Sequence, residues 1–254
     1  MKIVDIQAVY VMWLRQMKRF VRSKSRLLVS VVQPLLFLFI LGSGFRTLTI
    51  GGLEGDYLHF FAPGIISMSI IFSSMFTGVS ILWDKQFGFL QEVLVAPVSR
   101  LSITIGRTLG GATTALIQGF LILLIAIFIG MPIQSSSGAI LGIIFMILMS
   151  FTAVGFGLIL ASKMNDFQSF PIIMNLVMMP LLLLSSAFFP VAQNELMKNI
   201  AFFNPLFYMV DGLRGSLIGP ESTVLPPLVD LSIVIVICVV LLSLGSYMFS
   251  KSEA

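Results

Sequence analysis

Long apolar stretches alternate with short polar ones along this chain. Residues 27–45, 108–162, 167–194 and 231–250 contain no Asp, Glu, Lys, Arg or His, and His59 is the one such residue in 57–83. A helix needs about 20 apolar residues to cross a bilayer, and the alternating code of a membrane β-barrel is absent. The pattern therefore predicts an all-α integral membrane protein. Its six predicted membrane-spanning helices are 27–45, 60–82, 107–130, 138–161, 168–190 and 229–249.

The segment 200–218 is the ambiguous part of this pattern. It is apolar, but it contains an Asn-Pro pair, Asp211 and Arg214. A charged side chain at the centre of a membrane helix costs about 2.5–3.5 kcal/mol on insertion scales. We therefore expect residues 191–220 to form a re-entrant outer hairpin between the fifth and sixth spans. A seventh span at 200–218 is the alternative.

The composition and the charge distribution agree with a membrane protein. Hydrophobic residues make up 57% of the chain and charged residues 10%, whereas soluble domains carry about 25% charged residues. With six spans, twelve of the 15 Lys and Arg residues lie at the two termini and in the second and fourth loops. Because positively charged loops stay in the cytoplasm, we expect both termini there and the protein in the cell membrane. The basic excess is then a topology signal, and we expect no nucleic-acid partner.

Residues 5–26 have the pattern of a basic amphipathic helix. At about 100° per residue, five basic residues share one face, and an apolar face with Trp13 lies opposite. Anionic headgroups attract such a face by about 1 kcal/mol for each basic residue, so membrane lipid is an expected partner. The helix is interpreted either as a topology anchor in the headgroup layer or as an elbow that transmits motion into the first span. Its basic face consists of Arg15, Lys18, Arg19, Arg22 and Arg26.

The polar stretch WDKQFGFLQEVLVAPVSR, residues 83–100, interrupts the apolar pattern on the predicted cytoplasmic side. Phe87 and Leu90 recur at helical spacing, and Pro97 ends the helix because the residue before a proline is pushed out of the α region. The pattern predicts a surface helix over 84–96. Aromatic side chains on such a helix suit a groove in another protein, and an ordinary interfacial helix is the alternative.

The chain carries no signature of catalysis. The phosphate-binding pattern G-x-x-x-x-G-K-[ST] is absent. His59 is the only histidine and Cys238 the only cysteine, which favours neither a metal site nor a disulfide within the chain. Apart from Asp230 at a span end, the spans lack the carboxylates that an ion-coupled carrier needs. We expect a protein that is not an enzyme by itself, binds no cofactor and depends on an energy source outside this chain.

Glycines in and beside the predicted spans indicate where helices approach one another closely. Gly106 and Gly110 are separated by three residues, and Gly155 and Gly157 by one. Small residues at such spacing let helix backbones come together in a membrane. Packing is the favoured interpretation, and a lining for a substrate path is the alternative.

Four stretches resemble the permease subunits of the ABC-2 type transporter family, in the same order along the chain. GFLQEVLVAPVSR resembles that family's cytoplasmic loop, and YLHFFAPGI, residues 57–65, resembles the start of its second span. SSAFFPV, residues 185–191, is similar to the end of its fifth span, and FFNPLFYMVDGLRG, residues 202–215, to the segment that follows. The likeness covers essentially the whole chain, so we expect a single permease domain over 1–254.

The resemblance implies how such a permease works with its partners. Two copies, or this chain and a related permease, would form the pathway, and a separate soluble ABC ATPase would bind ATP and Mg²⁺. The resemblance makes 84–96 the coupling helix, 5–26 the elbow and 191–220 the outer cap. The expected ATPase contacts are Phe87, Gly88, Phe89, Leu90, Glu92, Leu94 and Pro97. The expected cap and hinge residues are Pro190, Asn204, Pro205, Asp211 and Arg214. Asp211 and Arg214 are three residues apart on a short helix, so they are expected to pair where solvent is scarce.

The expected function is ATP-driven export of a hydrophobic or amphiphilic compound such as a drug, a lipid or a saccharide. A non-transporting subunit of a membrane complex, or a scramblase-like module, is the alternative. No converging set of polar residues in the spans identifies the cargo, and the direction of transport follows from the resemblance alone.

Overall fold

The computed structural model describes residues 4–44, 57–86, 98–164 and 166–252, and these residues form an all-helical bundle without β-strands. The all-α class predicted from the apolar pattern is thereby confirmed. The helices are α1 (Ile6–Arg22), α2 (Lys24–Gly44), α3 (Tyr57–Gln86), α4 (Arg100–Ile129), α5 (Ser136–Lys163), α6 (Ser169–Leu183), α7 (Glu195–Phe202), α8 (Pro205–Leu217) and α9 (Pro227–Ser252).

Among the described residues, four helices are long and apolar enough to cross a membrane. They are His59–Asp84 in α3, Arg100–Ile129, Ser136–Lys163 and Pro227–Phe249. A fifth is added if Ile6–Arg22 and Leu27–Ile40, which meet at 69°, are counted as one bent span. The chain is thus a multi-pass membrane protein, as its apolar pattern predicts.

The fifth predicted span, 168–190, corresponds to a shorter helix in the structure. α6 ends at Leu183, and a turn follows it. Its 15 residues rise by about 22 Å, which is less than the roughly 30 Å of a bilayer's hydrocarbon core. Pro180 lies inside its last turn, and a proline there removes a backbone hydrogen bond. The residues after Leu183 therefore do not extend the helix, and one of them, Ser186, is bonded to Arg214 of α8.

α3 is the central helix of the bundle. It packs against α2, α4, α5 and α8, and Phe61, Ile65, Ile70 and Met75 on it are fully buried. In its most apolar window 83% of the residues are buried, against 22% for α9. A membrane helix has no hydrophobic drive to hide apolar side chains from lipid tails, so the peripheral α9 keeps an apolar outer surface.

Two predicted glycine contacts are confirmed as close approaches between helices. α1 lies across α4, and a Cβ built on Gly106 would come within 2.7 Å of the Val9 carbonyl oxygen. At the other contact, a Cβ on Gly155 would lie 2.9 Å from the backbone of Leu241 in α9. Real Cβ atoms do not approach other atoms so closely, so glycine is required for this packing.

The predicted amphipathic helix 5–26 is interrupted in the structure. α1 ends at Arg22, and Ser23 takes a non-helical backbone conformation with φ −88° and ψ 71°. The chain turns there because α1 packs mainly across α4, whereas α2 packs along α3. Arg26 consequently falls in the first turn of α2, beyond the end of α1.

The predicted surface helix 84–96 overlaps the end of α3. Asp84, Lys85 and Gln86 belong to α3, because its helix continues past the last predicted apolar residue. The remaining coupling residues, from Phe87 to Pro97, lie outside the described part of the chain. The chain is described again at residue 98, and Ser99 caps α4 by accepting a hydrogen bond from the Ser102 amide.

Candidate functional sites at the two ends of the bundle

The bundle has two ends with different polar chemistry. The end that holds α1, the C-terminus of α3 and the N-terminus of α4 is called the α1 end. At the opposite end, called the α8 end, His59 lies 3.2 Å from the carbonyl oxygen of Gly130. The turn after Gly130 also contacts α8 there, because the backbone N–H of Gln134 donates to the Leu217 carbonyl.

One carboxylate organises the α1 end. Arg15 of α1 donates two hydrogen bonds to Asp84 of α3, at 3.0 Å and 2.9 Å. Arg107 of α4 approaches the same carboxylate at 3.0 Å, and Arg19 of α1 at 3.7 Å. This set of four side chains is called the Asp84 cluster. Paired bonds from a guanidinium fork fix the geometry of a carboxylate, so the cluster joins three helices at one point.

The Asp84 cluster differs in exposure from one side to the other. The side chains of Arg107 and Asp84 are 4% and 8% exposed, whereas those of Arg15 and Arg19 are 34% and 39% exposed. Arg107 also lies over the ring of Phe249 in α9, 5.8 Å from its centre. The exposed part of the Asp84 cluster therefore lies on α1.

α1 is bound to both sides of the segment that, by the family resemblance, is expected to contact an ATPase. Asp84 precedes residues 87–97, and Arg15 holds it. Ser102 follows them at the start of α4, and its hydroxyl oxygen accepts a hydrogen bond of 2.8 Å from the Asp5 amide at the start of α1. A displacement of either flank of this segment therefore acts directly on α1.

The structure divides the predicted basic face into two groups. Arg15 and Arg19 point to Asp84, whereas Lys18 and Arg22 are exposed. The helical wheel placed all of these residues on one face, so spacing gave no sign of the difference. Trp13, assigned to the apolar face, donates from its indole nitrogen to the Thr113 hydroxyl at 3.1 Å.

The loop between α5 and α6 carries a further carboxylate, Asp166. The hydroxyl of Ser169 and the backbone amides of Gln168 and Ser169 donate to it. These hydrogen bonds, with that of the Ser169 side chain as the largest cause, lower the pKa of the Asp166 carboxyl below its ordinary value. Asp166 thereby holds the first turn of α6 in place.

At the α8 end a buried arginine has the central role. Arg214 is 1% exposed, and its guanidinium donates to the Phe60 carbonyl, the Ser186 hydroxyl and the Ser186 carbonyl. It also stacks 3.8 Å from the centre of the Phe60 ring, a favourable cation–π geometry. Arg214 thus connects α8 to the start of α3 and to the turn after α6.

The predicted pairing of Asp211 with Arg214 is confirmed. Asp211 Oδ1 lies 3.8 Å from Arg214 Nη1, and Asp211 is fully buried. Its other oxygen accepts hydrogen bonds from the amides of Val224 and Leu225, at 2.9 Å and 3.1 Å. Ser186, Asp211 and Arg214 are called the Arg214 cluster. A buried pair of this kind needs such additional hydrogen bonds to offset desolvation.

The other predicted cap residues shape the entry into α8. Asn204 caps the helix by accepting from the Leu206 amide at 3.0 Å and donates to the Leu181 carbonyl of α6. Pro205 takes the first helical position, where its missing amide hydrogen is not needed. Pro190 precedes a short 3₁₀ turn, Val191–Gln193. These residues set the path of the chain, whereas the charges hold α8 in the bundle.

The sequence pattern does not predict the roles of two residues at the α8 end, Ser186 and Asp230. Ser186 has a positive φ of 63° and presents both its hydroxyl and its carbonyl to Arg214. Asp230 is fully buried beside Gly212 of α8, although its place at a span end suggested little. The signal for Asp230 was its isolation, since it is the only acid in 227–250, and an acid in a membrane segment marks a functional position.

Comparisons with known proteins agree with this architecture. The family model for ABC-2 type transporters matches residues 7–218. The chain is 28% identical to the inner membrane transport permease YadH of Escherichia coli K12, over 90% of this chain and 88% of that protein.

Two further relatives are permeases as well. The putative transport permease ycf38 of Cyanophora paradoxa is 29% identical over 82% of this chain and 73% of its own length. The probable multidrug ABC transporter permease YbhR of Escherichia coli K12 is 28% identical over 61% of this chain and 43% of its own length. The chain therefore belongs to the ABC-2 type transporter family and is a membrane permease subunit of an ABC transporter.

Proposed function

We propose that this permease forms the translocation path of an ABC exporter for a hydrophobic or amphiphilic compound. ATP is hydrolysed on a separate nucleotide-binding subunit, and a second permease copy, identical or related, completes the path. The name of YbhR, a probable multidrug permease, supports a drug-like cargo. The low number of charged residues in the long helices supports a path for molecules with little charge.

The proposed topology has six spans with both termini in the cytoplasm. The first span is α2 and the fifth is α6 together with the turn that follows it. α8 is the re-entrant cap: its 13 residues rise by about 20 Å, too little to cross the hydrocarbon core. The α1 end then faces the cytoplasm and the ATPase, and the α8 end faces outwards.

The observation that carries this proposal is the attachment of α1 to both flanks of 87–97. A soluble ATPase that grips this segment moves Asp84 and Ser102, and α1 is bonded to each of them. α1 continues into α2 through the bend at Ser23. Movement at the coupling segment therefore reaches the first span through α1, which is the elbow role proposed for this helix.

The coupling assignment is tested with the purified permease–ATPase complex in lipid. We expect Phe87→Ala and Glu92→Ala to abolish the stimulation of ATP hydrolysis by cargo, while both variants still assemble in the membrane. Arg15→Gln should reduce the same stimulation at least tenfold, because α1 loses its bond to Asp84. Lys18→Gln is the matched control, since it removes a neighbouring positive charge of α1 that does not bind Asp84 in the structure.

Two results would overturn the proposal. One is cargo-stimulated hydrolysis that is unchanged in Phe87→Ala and Glu92→Ala. The other concerns topology, tested with Leu90→Cys in a Cys238→Ser background: modification of that cysteine by an impermeant reagent in intact cells would place the coupling segment outside. Lipid scrambling by the permease without its ATPase would favour the scramblase-like alternative.

A further inference from the structure

A cavity of about 350 Å³ lies between α1, α2, α3, α4 and α6. This is within the usual size range of small-molecule sites, about 300–1,000 Å³. Most of its wall is apolar and includes Phe37, Phe72 and Met174. The cavity wall shares no residue with the Arg214 cluster. It shares one residue, Arg19, with the Asp84 cluster.

Two buried polar groups in this wall lack hydrogen-bond partners among the described residues. Gln118 of α4 is 2% exposed and Ser69 of α3 is 5% exposed, and neither Gln118 Oε1 nor Ser69 Oγ is bonded there. Ser67 on the same helix, by contrast, donates back to the Pro63 carbonyl. A buried polar atom without a partner has lost its bonds to water and gained none in exchange, so an occupant that bonds to these atoms is favoured.

The orientation of the Gln118 amide follows from its neighbour Ser30. The Ser30 hydroxyl donates to the Leu27 carbonyl at 2.9 Å, so its proton is already in use. Ser30 Oγ therefore accepts at 2.7 Å, and the Gln118 group facing it is the donating Nε2. The acceptor Oε1 is left as the unbonded atom, and its partner must be an N–H or O–H donor.

The charge of the wall restricts the occupant further. Among the described residues, Arg19 is the only charged one in the cavity lining, and no acid is found there. A cationic compound therefore meets no counter-charge among these residues and is repelled by Arg19.

We propose that this cavity binds a lipophilic compound that is neutral or acidic and donates one hydrogen bond, through N–H or O–H, to Gln118 Oε1. This deepens the exporter proposal and rests on it insofar as the bound compound is the cargo. The apolar wall excludes water from the bond, and Ser69 is the second polar contact. Lipophilic cations and compounds without a donor are rejected.

The proposal is tested by ligand binding to the full-length permease in lipid nanodiscs. The probe is N-phenyl-naphthylamine, an apolar compound with one N–H, and the signal is saturable energy transfer from Trp13 and Trp83, the only tryptophans. Three competitors of similar size are compared: naphthol, methoxynaphthalene and naphthylmethylammonium. Naphthol should compete about tenfold better than methoxynaphthalene, corresponding to about 1.4 kcal/mol, and the ammonium compound should not compete.

Two variants and a control locate the effect. Gln118→Leu should remove the preference for naphthol over methoxynaphthalene, and Ser69→Ala, a minimal change that preserves packing, should reduce it. Gln134→Leu, at an exposed glutamine of the α4–α5 turn, should retain the full preference. Equal competition by naphthol and methoxynaphthalene in the unaltered protein, or an unchanged preference in Gln118→Leu, would overturn the cavity assignment.

The outcome is separable from that of the exporter proposal. Donor-dependent binding to the permease without any ATP-driven transport by the permease–ATPase complex would overturn the exporter proposal and support the cavity. Transport by the complex, combined with an absence of saturable probe binding, would overturn the cavity assignment alone.

Discussion

The Asp84 cluster and the Arg214 cluster show two ways of keeping charge in an apolar bundle. Arg214 and Asp211 are 1% and 0% exposed, and backbone groups supply most of their hydrogen bonds. In the Asp84 cluster two of the three arginines are more than a third exposed, and side chains from three helices supply the contacts. The first arrangement resists change because any displacement leaves buried charge unpaired. In the second arrangement, the exposed arginines can exchange their contacts with Asp84 for contacts with water, which suits a contact between helices that move.

The largest expected effect is at Arg214, because its loss leaves Asp211 buried with no cation beside it. We expect Arg214→Met to destabilise the fold by about 3–5 kcal/mol and to reduce the yield of monodisperse protein in detergent. Lys198→Met, at a partly exposed cation of α7 that lies 5.9 Å from the centre of the Phe202 ring, is the control and should change the melting midpoint far less. The double variant Asp211→Asn/Arg214→Met should recover part of the loss, and no recovery would contradict the pairing as the cause.

The next largest effect is expected at Asp84. Asp84→Asn removes the anion that three guanidinium groups share, and we expect a destabilisation of about 1.5–3 kcal/mol, the size of a hydrogen bond to a charged group. Thermal unfolding followed by tryptophan fluorescence measures it. If Arg15 is the main partner, Asp84→Asn and Arg15→Gln will not be additive in a double-mutant cycle. Additive effects would show that the bonds seen between them contribute nothing.

A smaller effect is expected where α1 crosses α4. A Cβ at Gly106 would meet the Val9 carbonyl, so Gly106→Ala should push α1 outwards at an overpacking cost of about 1–3 kcal/mol. Faster hydrogen exchange in α1, with α8 unaffected, is the expected signature. Ile105→Ala, at a half-exposed neighbouring position of α4, is the control. Equal acceleration in α1 and α8 would indicate general loosening and not a local contact.

The smallest effect is expected from salt, and it separates the two clusters directly. Exposed charges are screened over about 10 Å at 0.1 M salt, whereas buried pairs are screened much less. Raising the salt concentration should therefore shrink the stability difference between Arg15→Gln and the unaltered protein. The difference for Arg214→Met should persist. The same salt dependence in both variants would contradict the distinction between the partly exposed Asp84 cluster and the buried Arg214 cluster.

The local pattern of the sequence was sufficient for the class of fold and for several contacts. Charge-free runs of 20 residues or more predict membrane helices because the bilayer admits little else, and the long helices α3, α4, α5 and α9 agree with them. The spacing of Asp211 and Arg214 predicted their pairing, since residues three apart share a helix face. Gly106 and Gly155 predicted close helix contacts for the same local reason. These inferences needed no knowledge of which helices are neighbours.

Tertiary structure alone decided which polar groups meet across the bundle. Arg15 and Lys18 are both basic residues on one face of α1, and the sequence does not distinguish them. Only the packing of α3 beside α1 brings Asp84 within hydrogen-bond distance of Arg15. Ser186 acquires its role through the fold of the turn after α6, and Gln118 through the gap that α2, α3 and α6 leave beside it. Helical periodicity specifies the face on which a side chain lies. It cannot specify what that face touches, because such contacts join residues far apart in the chain and depend on the packing of every helix between them.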